Sequence, residues 1–234
     1  MLEDLKLRII RSAVAAEQSG LCRQRSGNFS MIDRERGLIV ISPSALDRNT
    51  IEIDDIPVIS MNGDIVEKGK RARASTEYPM HIKAYETRAD ISSVIHTHSE
   101  YATVFAVKGK PIKPVVFEAF FYGVRTAVAK YGRPGTARLA ESVVDPLRDA
   151  DVCLLKNHGV LVVGGAIEET LLKAQYVEDV AKLYYLSICL GNGAPDVIPA
   201  EEFELYKEET ARNNIPSNSR AAEQTAGYAC PDGY

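Results

Sequence analysis

The spacing of hydrophobic and polar residues predicts helices and strands that alternate along the chain. Apolar residues recur at helical spacing over residues 2–17 and 167–190. The polar, glycine-bearing stretch at residues 25–30 is expected to be a loop. Similar patterns predict helices over residues 75–87, 100–107 and 136–147, and strands over residues 37–42, 92–98, 152–155 and 160–163.

A β-hairpin is predicted by two short segments that flank Asn62-Gly63. Asn-Gly favours the two positive φ angles of a type I′ turn, so residues 58–61 and 64–67 are expected to pair as antiparallel strands. This hairpin excludes a purely parallel sheet. We therefore predict an α/β fold, a single three-layer domain with a central mostly antiparallel or mixed sheet flanked by helices.

The length of the chain limits its domain organisation. A chain of 234 residues can form one domain with a large core but not two ordinary domains. We assign residues 1–212 to that domain. Residues 213–234 are polar, with little to bury, and are expected to form a mobile tail.

Charge and hydropathy exclude two classes of partner. The net charge is −4 and there is no long basic run, so nothing indicates a nucleic-acid partner. The sequence has no apolar run of 18 residues and no secretory signal pattern, so we expect no membrane partner and a cytoplasmic location.

His96-Thr97-His98 is the strongest local indication of chemistry in the sequence. Residues i and i+2 of a strand point to the same face, so both imidazoles project together, as a zinc ion held at about 2.1 Å requires. His158 lies on a tight Asn-His-Gly turn between two apolar strands. A lone His-x-His pair is equally compatible with a surface or hydrogen-bonded pair. The fourth histidine, His81, is expected to be structural or to support the ligands.

Five short motifs occur in a characteristic order, and together they are more specific than any one of them. They are Ser26-Gly27-Asn28-Phe29-Ser30, Ile41-Ser42-Pro43-Ser44, Ser75-Thr76-Glu77 with His81, Val94-Ile95-His96-Thr97-His98, and Asn157-His158-Gly159. This ordered set resembles the class II aldolase family, which includes L-fuculose-phosphate aldolase and L-ribulose-5-phosphate 4-epimerase. The resemblance covers about residues 5–190 and implies that the domain at residues 1–212 is catalytic.

The resemblance implies a metal site and a phosphate pocket. By it, His96, His98 and His158 bind one Zn²⁺ or another divalent ion per subunit, and Glu77 is a fourth ligand in the resting enzyme and the acid/base once substrate binds. Small neutral donors suit a phosphate dianion, and the implied pocket consists of Gly27, Asn28, Ser44, Ser75 and Thr76. Family members usually carry glycine after the second of these motifs, where this chain has Ala45.

The activity implied is an aldolase that reversibly cleaves a ketose 1-phosphate to dihydroxyacetone phosphate and a small aldehyde such as lactaldehyde. L-fuculose 1-phosphate and a related deoxy-ketose 1-phosphate are equally compatible substrates. The family's aldolases are generally homotetramers whose sites lie at subunit interfaces and use a tyrosine for proton transfer. Phe117 stands at that position, so we predict Tyr122 as the catalytic replacement, with Glu118, Tyr228 or Tyr234 as alternatives.

Two other functions stay open at this point. A pentulose-5-phosphate 4-epimerase would need an aspartate where this chain has Ala119, and other lyases use the same scaffold. A non-catalytic interaction domain, like the family's cytoskeletal members, would lack the metal ligands. All four ligand positions are filled here, which argues against a purely structural role.

Overall fold

A mixed β-sheet forms the middle layer of the domain. The computed structural model describes residues 2–191 and 193–212. Within these residues eight strands pair in the order β4-β3-β2-β1-β5-β8-β7-β6, and every pairing except β6 with β7 is antiparallel. The strands are β1 (Asn28–Asp33), β2 (Leu38–Ile41), β3 (Val58–Ser60), β4 (Ile65–Glu67), β5 (Ser93–Thr97), β6 (Thr126–Ala129), β7 (Val152–Leu155) and β8 (Gly159–Gly164).

Helices cover both faces of the sheet. They are α1 (Leu2–Gln18), α2 (Tyr78–Thr87), α3 (Glu100–Lys108), α4 (Ala137–Ser142), α5 (Val144–Arg148), α6 (Ile167–Cys189) and α7 (Ala200–Arg212). Core residues of α1, α3 and α6 pack in one apolar cluster, and those of α2, α4 and α5 in another. This arrangement confirms the predicted three-layer α/β domain. No helix in the described ranges is both long and apolar enough to cross a membrane.

Strand β8 shows why the central strands read as continuous apolar runs. Val160 and Val162 face the cluster beneath α6, whereas Leu161 and Val163 face the cluster beneath α2. Because successive side chains of a strand point to opposite faces, a strand covered on both sides is apolar at every position. The apolar composition therefore predicts a strand here, but it does not predict which of its side chains face which layer of helices.

Three elements were not predicted from the sequence. Strand β1 begins at Asn28, inside the stretch expected to be a loop, and β6 and α7 were not expected. In β1 the polar residues Asn28 and Ser30 alternate with Phe29 and Met31. Only every second position is therefore apolar, and the segment lacks the continuous apolar run that marked the other central strands. Helix α7 packs through Phe203 against Phe120 of the 3₁₀ helix Phe117–Tyr122.

The predicted hairpin is present, but its turn differs from the expected type. Strands β3 and β4 pair as antiparallel neighbours. Gly63 has φ +86°, whereas Asn62 is not among the residues with positive φ, so a type I′ turn was the wrong prediction. The Ser60 hydroxyl accepts hydrogen bonds from the backbone N–H groups of Asn62 and Asp64 and stabilises a longer loop instead.

The helix predicted over residues 136–147 is divided into α4 and α5. Thr136 caps α4, since its hydroxyl accepts from the backbone N–H of Leu139. Pro146 has no N–H to donate to the carbonyl of Ser142, so a single helix cannot continue through this point. The break at Val143 follows from that missing donor.

A buried ion network ties α6 to the opposite layer. Asp151 is 5% exposed and accepts from Lys173 Nζ at 2.6 Å and from Arg88 Nη2 at 3.0 Å. Arg88 also binds Asp90 at 2.7 Å. Because Lys173 is itself buried, its charge depends on the Asp151 carboxylate.

Replacing Asp151 by Asn is therefore expected to destabilise the domain by about 3 kcal/mol, since it leaves the buried Lys173 cation without its counter-ion. Equilibrium urea unfolding measures this change. Glu208→Gln serves as the control because it breaks the exposed pair with Arg212, and it should leave the midpoint unchanged. Equal midpoints for both variants would contradict a structural role for the network.

Candidate functional site

His96 and His98 lie at the end of β5, next to the centre of the sheet. His96 is the fourth residue of the strand, is fully buried, and is the Cα partner of Asn28 on β1. His98 follows the strand by one residue. The two rings point the same way, as the i, i+2 spacing predicts, with their centroids 4.9 Å apart.

His158 reaches the same place from the turn between β7 and β8. Its ring centroid lies 4.6 Å from that of His96 and 5.1 Å from that of His98. Asn157 has a positive φ of 56°, which turns the chain sharply. Gly159 allows the close approach, because a Cβ there would lie 2.4 Å from the Thr97 carbonyl oxygen and 3.1 Å from the His96 ring.

Glu77 completes the cluster from the position before α2. Its carboxylate does not cap the helix. Instead Oε2 lies 3.4 Å from His96 Nε2, and Oε1 lies 3.5 Å from His158 Nε2. The structure thus brings together all four side chains that the sequence named as metal ligands.

The imidazoles are held neutral, the form in which histidine binds metals. His96 Nδ1 donates to the Val160 carbonyl at 2.9 Å, which leaves the lone pair of Nε2 directed at the cluster. Burial lowers the pKa of His96 well below its ordinary value, and the neighbouring rings lower it further. Burial, with the charges of His158 and Arg48, lowers the pKa of His98 to about 4. Burial also lowers the pKa of His158, against the opposing effect of Glu77.

The spacing of these atoms fits a tetrahedral cation site. Ligand atoms about 2.1 Å from a zinc ion lie about 3.4 Å from one another in a tetrahedron. Here His98 Nε2 is 3.1 Å from His96 Nε2, and the two carboxylate contacts are 3.4 and 3.5 Å. Glu77 Oε1 is buried and has no hydrogen-bond partner among the described residues. The histidine cluster could therefore bind a divalent metal ion.

The predicted phosphate residues lie on neighbouring loops beside this cluster. An isolated bridge between Pro43 and Ala74 places Ser44 next to the segment that carries Ser75 and Thr76. Ser44 Oγ donates to the Ala74 carbonyl at 3.3 Å, and Ser75 Oγ accepts from the Glu77 N–H at 3.3 Å. Thr76 is exposed.

Gly27 and Asn28 form the other side of the predicted pocket. Gly27 has φ +79°, and a Cβ there would lie 2.6 Å from both Cys22 Sγ and the His96 carbonyl oxygen, so no other residue fits. Asn28 is buried, and its Nδ2 donates to Glu77 Oε2 at 2.8 Å. One of its two amide hydrogens is thereby used on Glu77.

Sequence reasoning missed two arginines that support these loops. The guanidinium of Arg48 is 6% exposed and donates to the carbonyls of Ser26 and Gly27. Arg25 donates to the Ala45 carbonyl at 3.0 Å and joins the two loops. Ala45 has φ +59°, so this chain retains the left-handed backbone that the family's usual glycine adopts freely. No pattern in the sequence indicated either arginine.

Tyr122 lies in the core, away from the position expected of a proton donor. It is 1% exposed within the cluster formed by α1, α3 and α6, and its hydroxyl has no hydrogen-bond partner among the described residues. Burial raises its pKa far above the ordinary value. A catalytic role would require its hydroxyl to become accessible, and that role stays a prediction. Phe117 and Glu118 are exposed, and the Tyr206 ring of α7 packs against Phe117 with centroids 5.1 Å apart. Tyr228 and Tyr234 lie outside the described residues.

His81 is fully buried in α2, four residues after Glu77. It contacts Asn28 through Nε2 and Ser30 through Nδ1. Burial lowers its pKa to about 3, so it is uncharged near neutral pH. It belongs to the surroundings of the cluster rather than to its ligand atoms.

The three-layer fold carries a histidine cluster that could bind a metal ion, and comparison with known proteins identifies its family. The model of the class II aldolase and adducin N-terminal domain matches residues 8–185. The chain belongs to the class II aldolase family and is an aldehyde-lyase.

Named relatives cover most of the chain. The 5-deoxy-D-ribulose 1-phosphate aldolase of Bacillus thuringiensis is 33% identical over 186 residues, which are 80% of this chain and 85% of that protein. An L-fuculose phosphate aldolase of Methanococcus maripaludis is 36% identical over 160 residues, 68% of this chain and 84% of the relative. A solved L-fuculose 1-phosphate aldolase superimposes with a TM-score of 0.83 at 34% identity, covering 89% of this chain and 96% of that structure.

Zinc is expected to stabilise the chelator-treated protein, because a ligand that binds only the folded state at 100 times its Kd adds about 2.7 kcal/mol. His98→Ala, at the exposed rim of the cluster, should lose most of this gain. Thermal unfolding with and without zinc measures both. Calcium is the control cation, since it prefers six to eight oxygen ligands and should shift neither protein. A full zinc shift in His98→Ala would show that zinc binds elsewhere.

The metal-free protein is expected to lose stability as the pH falls below about 6.5. The folded-state pKa of His81 is about 3, so below 6.5 the unfolded chain binds a proton that the folded chain does not. The stabilisation that neutral His81 gives the folded state is present above the unfolded-state pKa of about 6.5. It is lost as the pH falls towards the folded-state pKa of about 3. Chemical denaturation at several pH values should therefore give a shallower slope for His81→Gln, which does not titrate. Parallel slopes would contradict the lowered pKa.

Proposed function

We propose that the protein is a zinc-dependent aldolase that reversibly cleaves a ketose 1-phosphate. The substrate is L-fuculose 1-phosphate or a related deoxy-ketose 1-phosphate, and the products are dihydroxyacetone phosphate and a small aldehyde such as lactaldehyde. The observation that carries the proposal is the convergence of three neutral imidazoles and the Glu77 carboxylate at contacts of 3.1–3.5 Å. The names of the two aldolase relatives support the substrate class.

Under this proposal His96, His98 and His158 hold one Zn²⁺ per subunit, and Glu77 is a fourth ligand in the resting enzyme and the acid/base once substrate binds. Nitrogen ligands with one carboxylate suit zinc well, and other divalent ions also accept them. When bound, such an ion supplies a Lewis acid for the substrate's carbonyl oxygen. The protein's part is to keep the imidazoles neutral and their lone pairs directed inward.

Glu77 is proposed to move the proton at the carbon next to the carbonyl. When the C3–C4 bond breaks, its electron pair stays on C3, which must then receive a proton. Glu77 Oε2 is engaged by Asn28, whereas Oε1 has no hydrogen-bond partner among the described residues. Oε1 is therefore the oxygen proposed to carry the proton to C3.

The phosphate group is proposed to lie between the loops that carry Gly27, Asn28, Ser44, Ser75 and Thr76. Hydroxyl and amide donors there would bind the dianion, and the second hydrogen of Asn28 Nδ2 stays available for it. Arg48 adds a positive charge directly behind Gly27, which favours an anion at this loop.

The remaining proton, from the C4 hydroxyl, needs a separate acceptor. Tyr122 stays the predicted group, and its burial means that its hydroxyl must be uncovered in the working enzyme. The predicted homotetramer with sites at subunit interfaces and the cytoplasmic location also stay predictions.

The test is to incubate the zinc-loaded protein with candidate ketose phosphates and to follow dihydroxyacetone phosphate with a coupled reductase. Release of this product from a ketose 1-phosphate supports the proposal. Formation of only an isomeric pentose phosphate from a pentulose 5-phosphate would indicate a 4-epimerase instead. A non-catalytic domain would be indicated if no candidate gave a product and if the protein, purified without chelator, contained less than about 0.1 zinc per chain.

Glu77→Gln is expected to retain much of the zinc and to lose most of the turnover, by about 100-fold or more. The amide oxygen still faces the cluster, but it cannot accept and release a proton at neutral pH. Metal analysis and kcat on the same preparation separate the two effects. Unchanged kcat would remove Glu77 from proton transfer.

Ser44→Ala is expected to raise KM for the phosphorylated substrate by about tenfold, because a hydrogen bond to a charged group contributes about 1.5 kcal/mol or more. Thr76→Val should act in the same direction. The internal control is the corresponding sugar without its phosphate, for which neither variant should change kcat/KM. An equal effect on both substrates would place the phosphate elsewhere.

A further inference from the structure

A line of buried polar side chains connects Glu77 to the interior of the domain. On β1, Asn28 and Ser30 are two residues apart and share one face of the strand. Glu77, at the position before α2, and His81 and Tyr85 on α2 are spaced by four residues and lie on the same side of the helix. Four helical residues advance about 6 Å and two strand residues about 6.6 Å, so the two series stay in step.

The contacts along this line are continuous. Asn28 Nδ2 lies 2.8 Å from Glu77 Oε2, and Asn28 Oδ1 lies 2.5 Å from His81 Nε2. Ser30 Oγ lies 2.6 Å from His81 Nδ1 and 2.8 Å from the Tyr85 hydroxyl. Asn28, Ser30, His81 and Tyr85 are all at most 4% exposed, so water does not compete for these groups.

The direction of every hydrogen bond follows from its end at Glu77. A carboxylate only accepts, so Asn28 must donate through Nδ2 and must accept through Oδ1. His81 then has to donate from Nε2, and as a neutral ring it must accept at Nδ1. Ser30 therefore donates to His81 and accepts from the Tyr85 hydroxyl. The chain offers one consistent arrangement of protons.

We propose that Ser30, His81 and Tyr85 are positioning residues for Glu77. By fixing the tautomer of His81 and the amide orientation of Asn28, they hold Glu77 Oε2 in place and leave Oε1 to carry the proton. This inference rests on the proposed function of Glu77 in proton transfer. All three residues are buried in the interior of the domain.

Loss of the Ser30 hydroxyl has a specific consequence in this arrangement. Without a donor at its Nδ1 side, the fully buried His81 ring keeps an unsatisfied acceptor, so neither the ring nor the Asn28 amide that it bonds is held in one position. The hydrogen bond from Asn28 Nδ2 to Glu77 Oε2 would then be less well aligned, and Glu77 would lose its fixed orientation.

The decisive variant is Ser30→Ala, and the chain contains a matched control. Ser93, on the neighbouring strand, is equally buried, and its hydroxyl bonds to Thr170 at 2.7 Å, outside the line that leads to Glu77. Ser30→Ala is expected to lower kcat by about 10- to 100-fold while KM and zinc content stay within about twofold. Ser93→Ala should keep the wild-type kcat. Ser30→Thr, which restores a hydroxyl, should recover most of the rate.

A second readout does not depend on turnover. ¹⁵N NMR of the ring nitrogens is tractable because the chain has only four histidines. The His81 proton is expected on Nε2 in all three proteins, whereas the ¹⁵N signal of the unprotonated Nδ1 should shift in Ser30→Ala, which removes its hydrogen-bond donor, and not in Ser93→Ala. A wild-type His81 with its proton on Nδ1 would overturn the proposal.

The two readouts separate failure of this inference from failure of the proposed function. If the wild type cleaves ketose phosphates but Ser30→Ala matches Ser93→Ala in kcat, the positioning role is wrong and the aldolase assignment stands. If the wild type cleaves no ketose phosphate, the proposed function is wrong, and the NMR measurement still decides whether the proton arrangement is correct.

Discussion

The register between β1 and β5 is the constraint on which the site depends. Pairing Asn28 with His96 places both side chains on one face of the sheet, beneath the start of α2. A slip of one residue would turn every side chain of β1 to the opposite face and would remove Asn28 and Ser30 from Glu77 and His81. The core enforces the register, because Phe29 and Met31 are buried on the other face. Packing on one side of the sheet therefore fixes the chemistry on the other side.

The site concentrates groups that a stable protein would otherwise avoid burying together. Three imidazoles face one another with lowered pKa values, and one carboxylate oxygen and one ring nitrogen of His158 lack hydrogen-bond partners in the described chain. Unpaired buried polar atoms cost free energy, which a cation bound at their centre would offset. Gly159 and Gly27 permit this close packing, since a side chain at either position would overlap the β5 backbone. Two unmet hydrogen bonds of the described chain thus lie where the chemistry is proposed, whereas the buried Asp151 carboxylate is paired with both Lys173 and Arg88.

Helix α2 serves both the metal cluster and the interior. Glu77, the residue before the helix, faces the histidines, and the helix itself presents His81 and Tyr85 to β1. Because these residues lie on one helix face, a shift of α2 would disturb all of these contacts together. The proposed aldolase chemistry therefore depends on helix packing as well as on the four side chains around the cation.

Patterns along the chain were enough to identify the fold class, the main strands and helices, and the residues of the histidine cluster. These depend on local periodicity and on short motifs, which the chain carries within a few residues. Strand β1 was missed because its polar face, which serves the site, hides its apolar alternation, and the turn at Asn62 was mistaken because a single hydroxyl overrode an intrinsic preference. Only the tertiary structure placed Arg48 behind Gly27, enclosed Tyr122 in the core, and joined Asn28, His81 and Ser30 in one line. Those contacts join residues 21 to 53 positions apart, and long-range packing, which sequence patterns do not encode, decides which of them meet.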